Sequence, residues 1–81
     1  MVPLPIHPGE HLAEELRELG MSAAELSQRL DLPASRVRSL LNGGHPITAD
    51  LSRRLAQLFG TSAEFWLNLQ RRYELRLAER S

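Results

Sequence analysis

Apolar residues recur at intervals of three and four along most of the chain, the spacing that places them on one face of an α-helix. The first run predicts a helix from Pro8 to Leu19 that ends at Gly20. Its apolar face consists of Leu12, Leu16 and Leu19. Residues 1–6 contain two prolines and no periodicity, and they therefore predict an extended arm.

Residues 22–43 predict two short helices joined by a tight turn. Ser22 and Glu25 have the spacing of a capping box, in which the hydroxyl accepts from a backbone N–H and the carboxylate reaches back. Pro33 ends the first helix, because it cannot continue the hydrogen-bond ladder, and it suits the first turn of the second. Asn42-Gly43 tolerates the left-handed conformation that closes a helix. The pattern indicates a helix-turn-helix.

The second motif helix has two distinct faces on a helical wheel. The buried face is formed by Val37, Leu40 and Leu41. The candidate DNA-binding residues occupy the other positions, which are Ala34, Ser35, Arg36, Arg38, Ser39 and Asn42. Small hydroxyl side chains let a helix approach a base edge, and guanidinium groups reach phosphates or guanine. An ordinary solvated helix face has the same mixture of residues, so the wheel alone leaves both interpretations open.

Two further helices follow the motif. Thr48 predicts the start of the first, which ends at Gly60. Its apolar face consists of Leu51, Leu55, Leu58 and Phe59, and its arginines point elsewhere. Thr61 and Glu64 form a second capping box, which opens a last helix to about Ala78. We therefore predict an all-α fold, a compact bundle of five helices.

The last helix carries apolar residues on two faces. The inner stripe, expected to pack on the core, consists of Phe65, Trp66, Leu69, Tyr73 and Leu77. Leu67 and Leu75 lie on the outer face, where scattered surface leucines need no special explanation. Because so short a chain gains from further burial, we favour a dimer seam formed by Leu67, Arg71, Leu75 and Ala78.

Composition limits the classes of function. The 81 residues form one domain, residues 1–81, with a helical part at 7–78 and a tail at 79–81. The absence of cysteine excludes disulfides and thiolate metal sites. No apolar run approaches the roughly 18 residues of a membrane span, and no export signal is evident, so we expect a cytoplasmic protein.

Charge is unevenly distributed, although the formal net charge is zero. Residues 1–31 carry a net charge of −4, whereas residues 32–58, which include the second motif helix, carry +3. An acidic first helix and a basic centre fit a molecule with two different partners.

A metal site and an enzyme active site both find little support. His7, His11, Glu10 and Glu14 share the start of the first helix, but no third ligand of suitable geometry is evident. We expect instead a solvent-facing helix start, no metal and no cofactor. No nucleophile, acid–base pair or phosphate-binding glycine loop has usable spacing, so we expect no enzyme.

The motif resembles the helix-turn-helix of Cro/repressor-type (XRE) regulators. The resemblance rests on Ser22, Glu25, Leu26, Leu32, Val37 and Asn42-Gly43, with Asp31 where glycine is usual in the turn. Three further blocks resemble HigA-type antitoxins (the VapI group) of bacterial toxin–antitoxin modules: His7-Pro8-Gly9-Glu10, Ile47-Thr48-Ala49-Asp50 and residues 59–70. Together these resemblances cover the chain from about His7 to Ala78.

The resemblance implies a lambda-repressor-like fold and a DNA-binding antitoxin that represses its own operon as a homodimer. It also implies a protein partner, a HigB-type endoribonuclease toxin. We place the toxin-binding surface on the acidic first helix, at Glu10, Glu14, Glu15 and Glu18. The alternative is a stand-alone XRE-family transcriptional regulator without a toxin.

Overall fold

The computed structural model describes residues 4–80, and within this range it contains five helices and no strand. The helices are α1 (Pro8–Leu19), α2 (Ala23–Leu30), α3 (Ala34–Leu41), α4 (Ala49–Phe59) and α5 (Ala63–Arg80). The all-α prediction is confirmed, and α5 continues two residues past the predicted Ala78. Residues 1–3 of the predicted arm and residue 81 of the predicted tail lie outside the described residues.

The predicted helix ends at Gly20 and Gly60 are confirmed, and both glycines adopt the left-handed conformation. Asp31 does the same at the end of α2, with φ 55° and ψ 48°. Its N–H donates to the carbonyl of Gln28, and the N–H of Leu32 donates to that of Ser27 at 3.0 Å. These bonds satisfy carbonyls that the helix itself leaves unpaired.

The predicted capping boxes are only partly formed. The hydroxyl of Ser22 accepts from the N–H of Glu25 at 3.1 Å, as predicted. The carboxylate of Glu25, however, pairs with Arg29 one turn later, at 3.3 Å. The cap of α4 is as predicted, since the hydroxyl of Thr48 accepts from the N–H of Leu51 at 3.2 Å.

The prediction that Thr61 caps α5 is wrong by one residue. Ser62 is the cap, and its hydroxyl accepts from the N–H of Phe65 at 3.1 Å. The hydroxyl of Thr61 instead accepts from the indole N–H of Trp66 at 2.8 Å. The reason is physical, because a buried indole needs an acceptor and the neighbouring serine can serve the backbone equally well.

The core draws apolar side chains from all five helices and from the loop before α4. Its buried members are Leu12, Leu16, Leu26, Leu30, Val37, Leu40, Ile47, Leu51, Leu55 and Trp66. Gln70 of α5 ties that loop to the bundle, because its side-chain oxygen accepts from the N–H of Ile47 at 2.8 Å. No helix within residues 4–80 is long and apolar enough to cross a membrane.

Three predicted core residues are exposed instead. Leu19 is 55% exposed because it is the last residue of α1, where the chain leaves the helix at Gly20. On α5, Phe65 and Leu77 are 44% and 42% exposed. At 1.5 Å per residue α5 is about 27 Å long, much longer than α4 on which it packs, so residues 74–80 are all exposed.

Trp66 is 2% exposed and completes the core, so Trp66→Ala is expected to cost about 3–5 kcal/mol of unfolding free energy. Phe65 packs edge-to-face against the same indole at 5.1 Å but is exposed, so Phe65→Ala should cost roughly 1–2 kcal/mol. Urea unfolding followed by circular dichroism measures both. Equal losses in the two variants would contradict this assignment of the inner stripe.

Candidate nucleic-acid interface

The turn between α2 and α3 sets the start of the candidate reading helix. Pro33 is the N-cap of α3, with extended backbone, and not its first helical residue as predicted. Its carbonyl accepts from the N–H of Arg36 at 3.0 Å and of Val37 at 3.2 Å. Because proline has no polar side chain, the first turn of α3 receives no side-chain cap from the described residues. Its free N–H groups, at the positive end of the helix, are available to an anion.

The faces of α3 agree with the helical wheel. Val37 and Leu40 are fully buried, and Leu41 is half-buried. Five of the six predicted DNA-binding residues are exposed, namely Ala34, Ser35, Arg36, Arg38 and Asn42. The sixth, Ser39, is half-buried beside the following turn, where its carbonyl accepts from the N–H of Gly44 at 2.8 Å. The structure thus leaves most of the predicted DNA-binding residues of α3 exposed to solvent.

The two arginines of α3 differ from most others in the protein. Neither Arg36 nor Arg38 forms an ion pair with any residue between positions 4 and 80. Five other arginines do pair with a carboxylate: Arg17, Arg29, Arg53, Arg54 and Arg76. The guanidinium groups of α3 are therefore exposed and unneutralised, as phosphate contacts require.

Arg54 has a structural role that the sequence interpretation missed. Its Nη1 donates to the carbonyl of Leu30 at 2.6 Å, and its Nε lies 3.0 Å from a carboxylate oxygen of Asp50. A cation at the C terminus of α2 satisfies a carbonyl and complements the helix dipole. The i, i+4 spacing of Asp50 and Arg54 in the sequence indicates their ion pair. Both arginines of α4 pair with Asp50, whose single carboxylate offsets one of their two positive charges, and the net charge of +3 for residues 32–58 already includes it.

The predicted solvent-facing start of α1 is confirmed for Glu10, His11 and Glu14, which are exposed, and is wrong for His7. His7 is 7% exposed, and its Nδ1 accepts from the N–H of Gly9 at 2.9 Å, which makes it the N-cap. Its ring packs edge-to-face on Tyr73 of α5 at 4.8 Å. Gly9 is buried against the backbone of α3, where a Cβ would overlap the carbonyl oxygen of Leu40. In the sequence, the glycine of the Pro8-Gly9 pair is the feature that indicates this close approach, because glycine has no Cβ.

The buried imidazole has a shifted protonation equilibrium. Burial lowers the pKa of His7, and the proximity of His45 acts in the same direction. Glu10 and a hydrogen bond with the backbone of His45 partly oppose the shift. Among residues 4–80, no three His, Cys, Asp or Glu side chains are grouped so as to hold a metal ion.

The other predicted surfaces lie on α1 and α5. Three of the acidic residues of α1, Glu10, Glu14 and Glu18, are exposed, whereas Glu15 is half-buried. Glu14 pairs with Arg17 on the same helix. On α5, Arg71, Leu75 and Ala78 are exposed, but Leu67 is half-buried within the single chain. Leu75, at 57%, is the more accessible of the two predicted seam leucines.

Comparison with known proteins identifies the family to which this chain is related. Residues 12–66 match the family model described as helix-turn-helix. The chain is 44% identical over 75 residues to virulence-associated protein I of Dichelobacter nodosus, covering 91% of this chain and 69% of that protein. It superimposes on an addiction module antidote protein of the HigA family from Coxiella burnetii with a TM-score of 0.91. That pair is 55% identical, over 94% of this chain and 84% of the other.

The chain belongs to the HigA-type antitoxins of the XRE helix-turn-helix family. Antitoxin HigA of Pseudomonas aeruginosa, solved with the higBA promoter, is also similar. It has a TM-score of 0.87 and 44% identity, over 91% of this chain and 82% of that one. The predicted family is therefore confirmed. In this HigA-type chain α2 and α3 are the helix-turn-helix, and α3 carries the candidate reading surface.

Proposed function

We propose that this protein is a DNA-binding antitoxin that represses its own operon. The observation that carries the proposal is the exposed polar face of α3, on which Arg36 and Arg38 lack carboxylate partners within the described chain. Support comes from the similar HigA of Pseudomonas aeruginosa, which was solved with promoter DNA.

Recognition would place α3 in the major groove of the operator. Ala34 and Ser35 are small, so the start of the helix can approach base edges closely. Arg36 and Arg38 lie on either side of this edge, where they can reach phosphates or guanine, and Asn42 can pair with adenine. Arg54 fixes the end of α2 and therefore the angle of the turn that leads into α3.

A homodimer would supply the specificity that one short helix lacks. α3 has eight residues, so it reads few base pairs alone, and a two-fold dimer presents two copies to half-sites about 34 Å apart. We place the seam on α5, at Leu67, Arg71, Leu75 and Ala78. Leu75 supports this choice, because it exposes an apolar side chain on the part of α5 that extends beyond the core.

The second partner would be a HigB-type endoribonuclease toxin, neutralised by direct binding and without catalysis. A protein that cleaves RNA presents positive charge to its substrate, and the acidic face of α1 complements that charge. The exposed carboxylates of Glu10, Glu14 and Glu18 form this face, and the half-buried Glu15 borders it. A stand-alone regulator without a toxin shares the DNA-binding surface and differs only in lacking this partner.

Replacing both Arg36 and Arg38 by alanine should weaken operator binding across sequences and reduce the salt slope by about one unit per lost phosphate contact. Fluorescence anisotropy with a duplex from upstream of the gene measures both quantities. Arg80→Ala, at the exposed end of α5, is the control and should leave them nearly unchanged. An unaltered salt slope in the double variant would remove α3 from the interface.

Leu75→Glu should give a folded monomer with weaker operator binding, because a two-fold seam repeats the new charge in a desolvated contact. Leu19→Glu is the matched control, since Leu19 is 55% exposed and lies on α1. Light scattering with circular dichroism reports mass and folding. A Leu75→Glu protein that stays dimeric at micromolar concentration would place the seam elsewhere.

Replacing Glu14 and Glu18 by glutamine should weaken toxin association, by about tenfold at low salt, and leave operator binding unchanged. The control changes Glu64 and Glu74 of α5, which are also exposed. Calorimetry with the product of the reading frame adjacent to the gene measures the affinity. Equal effects from both pairs would contradict the assignment to α1, and no association at all would favour the stand-alone regulator.

A further inference from the structure

We propose that His7 is a positioning residue for DNA recognition, and that it holds the end of α3 in place only while its imidazole is neutral. The proposal rests on the proposed DNA-binding function. His7 itself lies outside the reading surface and is buried. It acts through the elements that it joins.

The His7 ring lies where three elements meet. Its Nδ1 accepts from the N–H of Gly9 at 2.9 Å and so caps α1. The ring packs edge-to-face with that of Tyr73 on α5, with centroids 4.8 Å apart. On the third side lies Gly43, directly after α3, where an added Cβ would sit 3.5 Å from the Cγ of His7.

These contacts determine where α3 ends. The first turn of α1 approaches the last turn of α3 so closely that a Cβ on Gly9 would overlap the carbonyl oxygen of Leu40. α3 itself buries only Val37 and Leu40. With so small a buried face, the position of α3 depends on the support that His7 and Gly9 give to its C-terminal turn.

The support requires the neutral ring, because only an unprotonated Nδ1 can accept the Gly9 N–H. Protonation turns this acceptor into a donor and adds positive charge at the N terminus of α1, where the helix dipole is already positive. Three titratable groups face the ring: Glu10 from α1, His45 from the loop between α3 and α4, and Tyr73 from α5. Glu10 favours the charged ring, but burial, which is the larger influence, favours the neutral ring.

The direction of the pH effect follows from the lowered pKa of His7. The unfolded chain binds this proton at a higher pH than the folded chain does, so stability is full above the ordinary histidine pKa and falls as the pH drops through it. The loss stops growing below the folded-state pKa. Operator affinity should fall at lower pH, as the pH drops through the lowered pKa of His7 in the folded protein, because the native ring stays neutral above it.

Operator affinity tests the proposal when it is measured from about pH 8, above the ordinary histidine pKa of about 6.5, down to the pH at which the free protein begins to unfold. The native protein should lose about fivefold or more in affinity, the lower range of coupling between linked sites. His7→Asn keeps a capping oxygen but cannot titrate, so its affinity should stay level or rise as pH falls. His11→Asn changes an exposed histidine and should behave as the native protein does. Parallel profiles for native protein and His7→Asn would overturn the proposal.

Nuclear magnetic resonance of the native protein gives a second readout that needs neither a variant nor DNA. The amide signals of Gly9, Asn42 and Gly43 should move with the same midpoint as the His7 ring, while those of α2 remain fixed. If the signals at the end of α3 do not shift as His7 titrates, or shift only with global unfolding, the proposal fails. If no pH supports operator binding, the proposed function fails, and these signals still decide the role of His7.

Discussion

The close approach of α1 to the last turn of α3 is the constraint on which the candidate site depends. Gly9 meets the carbonyl of Leu40 without a side chain between them, and His7 fills the space beside it. Two helices of the bundle are thereby held at backbone contact. α3 packs against both α1 and α2, and its opposite edge, with Arg36 and Arg38, remains exposed.

The charged residues show that composition alone does not locate a binding surface. Arginines of α3 and α4 lie in the same basic segment of the sequence, yet Arg53 and Arg54 pair with Asp50. Arg54 also closes the end of α2 through the carbonyl of Leu30. The same residue type therefore holds the motif together in α4 and remains unneutralised in α3. The arginines of α4 are paired because Asp50 lies on the same helix, one turn away.

α5 divides into a part that belongs to the core and a part that does not. Its first turn is anchored by Trp66, which packs inside and donates to Thr61, and Gln70 holds the loop before α4. Past Tyr73 every described residue is exposed, including Leu75. A small domain with an unburied apolar end gains stability from burying it. That is the physical reason to assign a seam to this helix.

Sequence periodicity determined the five helices, because leucines at helical spacing and glycines or Asp31 at the ends encode them locally. It also separated the two faces of α3, since Val37 and Leu40 repeat at one angle of the wheel. The tertiary structure decided what local spacing cannot contain: the burial of His7, the exposure of Leu19 and the cap made by Ser62. Leu19 is exposed because the chain leaves α1 at Gly20, and Ser62 is the cap because the hydroxyl of Thr61 accepts from the buried indole of Trp66. The burial of His7 depends on Tyr73, far along the chain, and only packing between helices brings the two rings together.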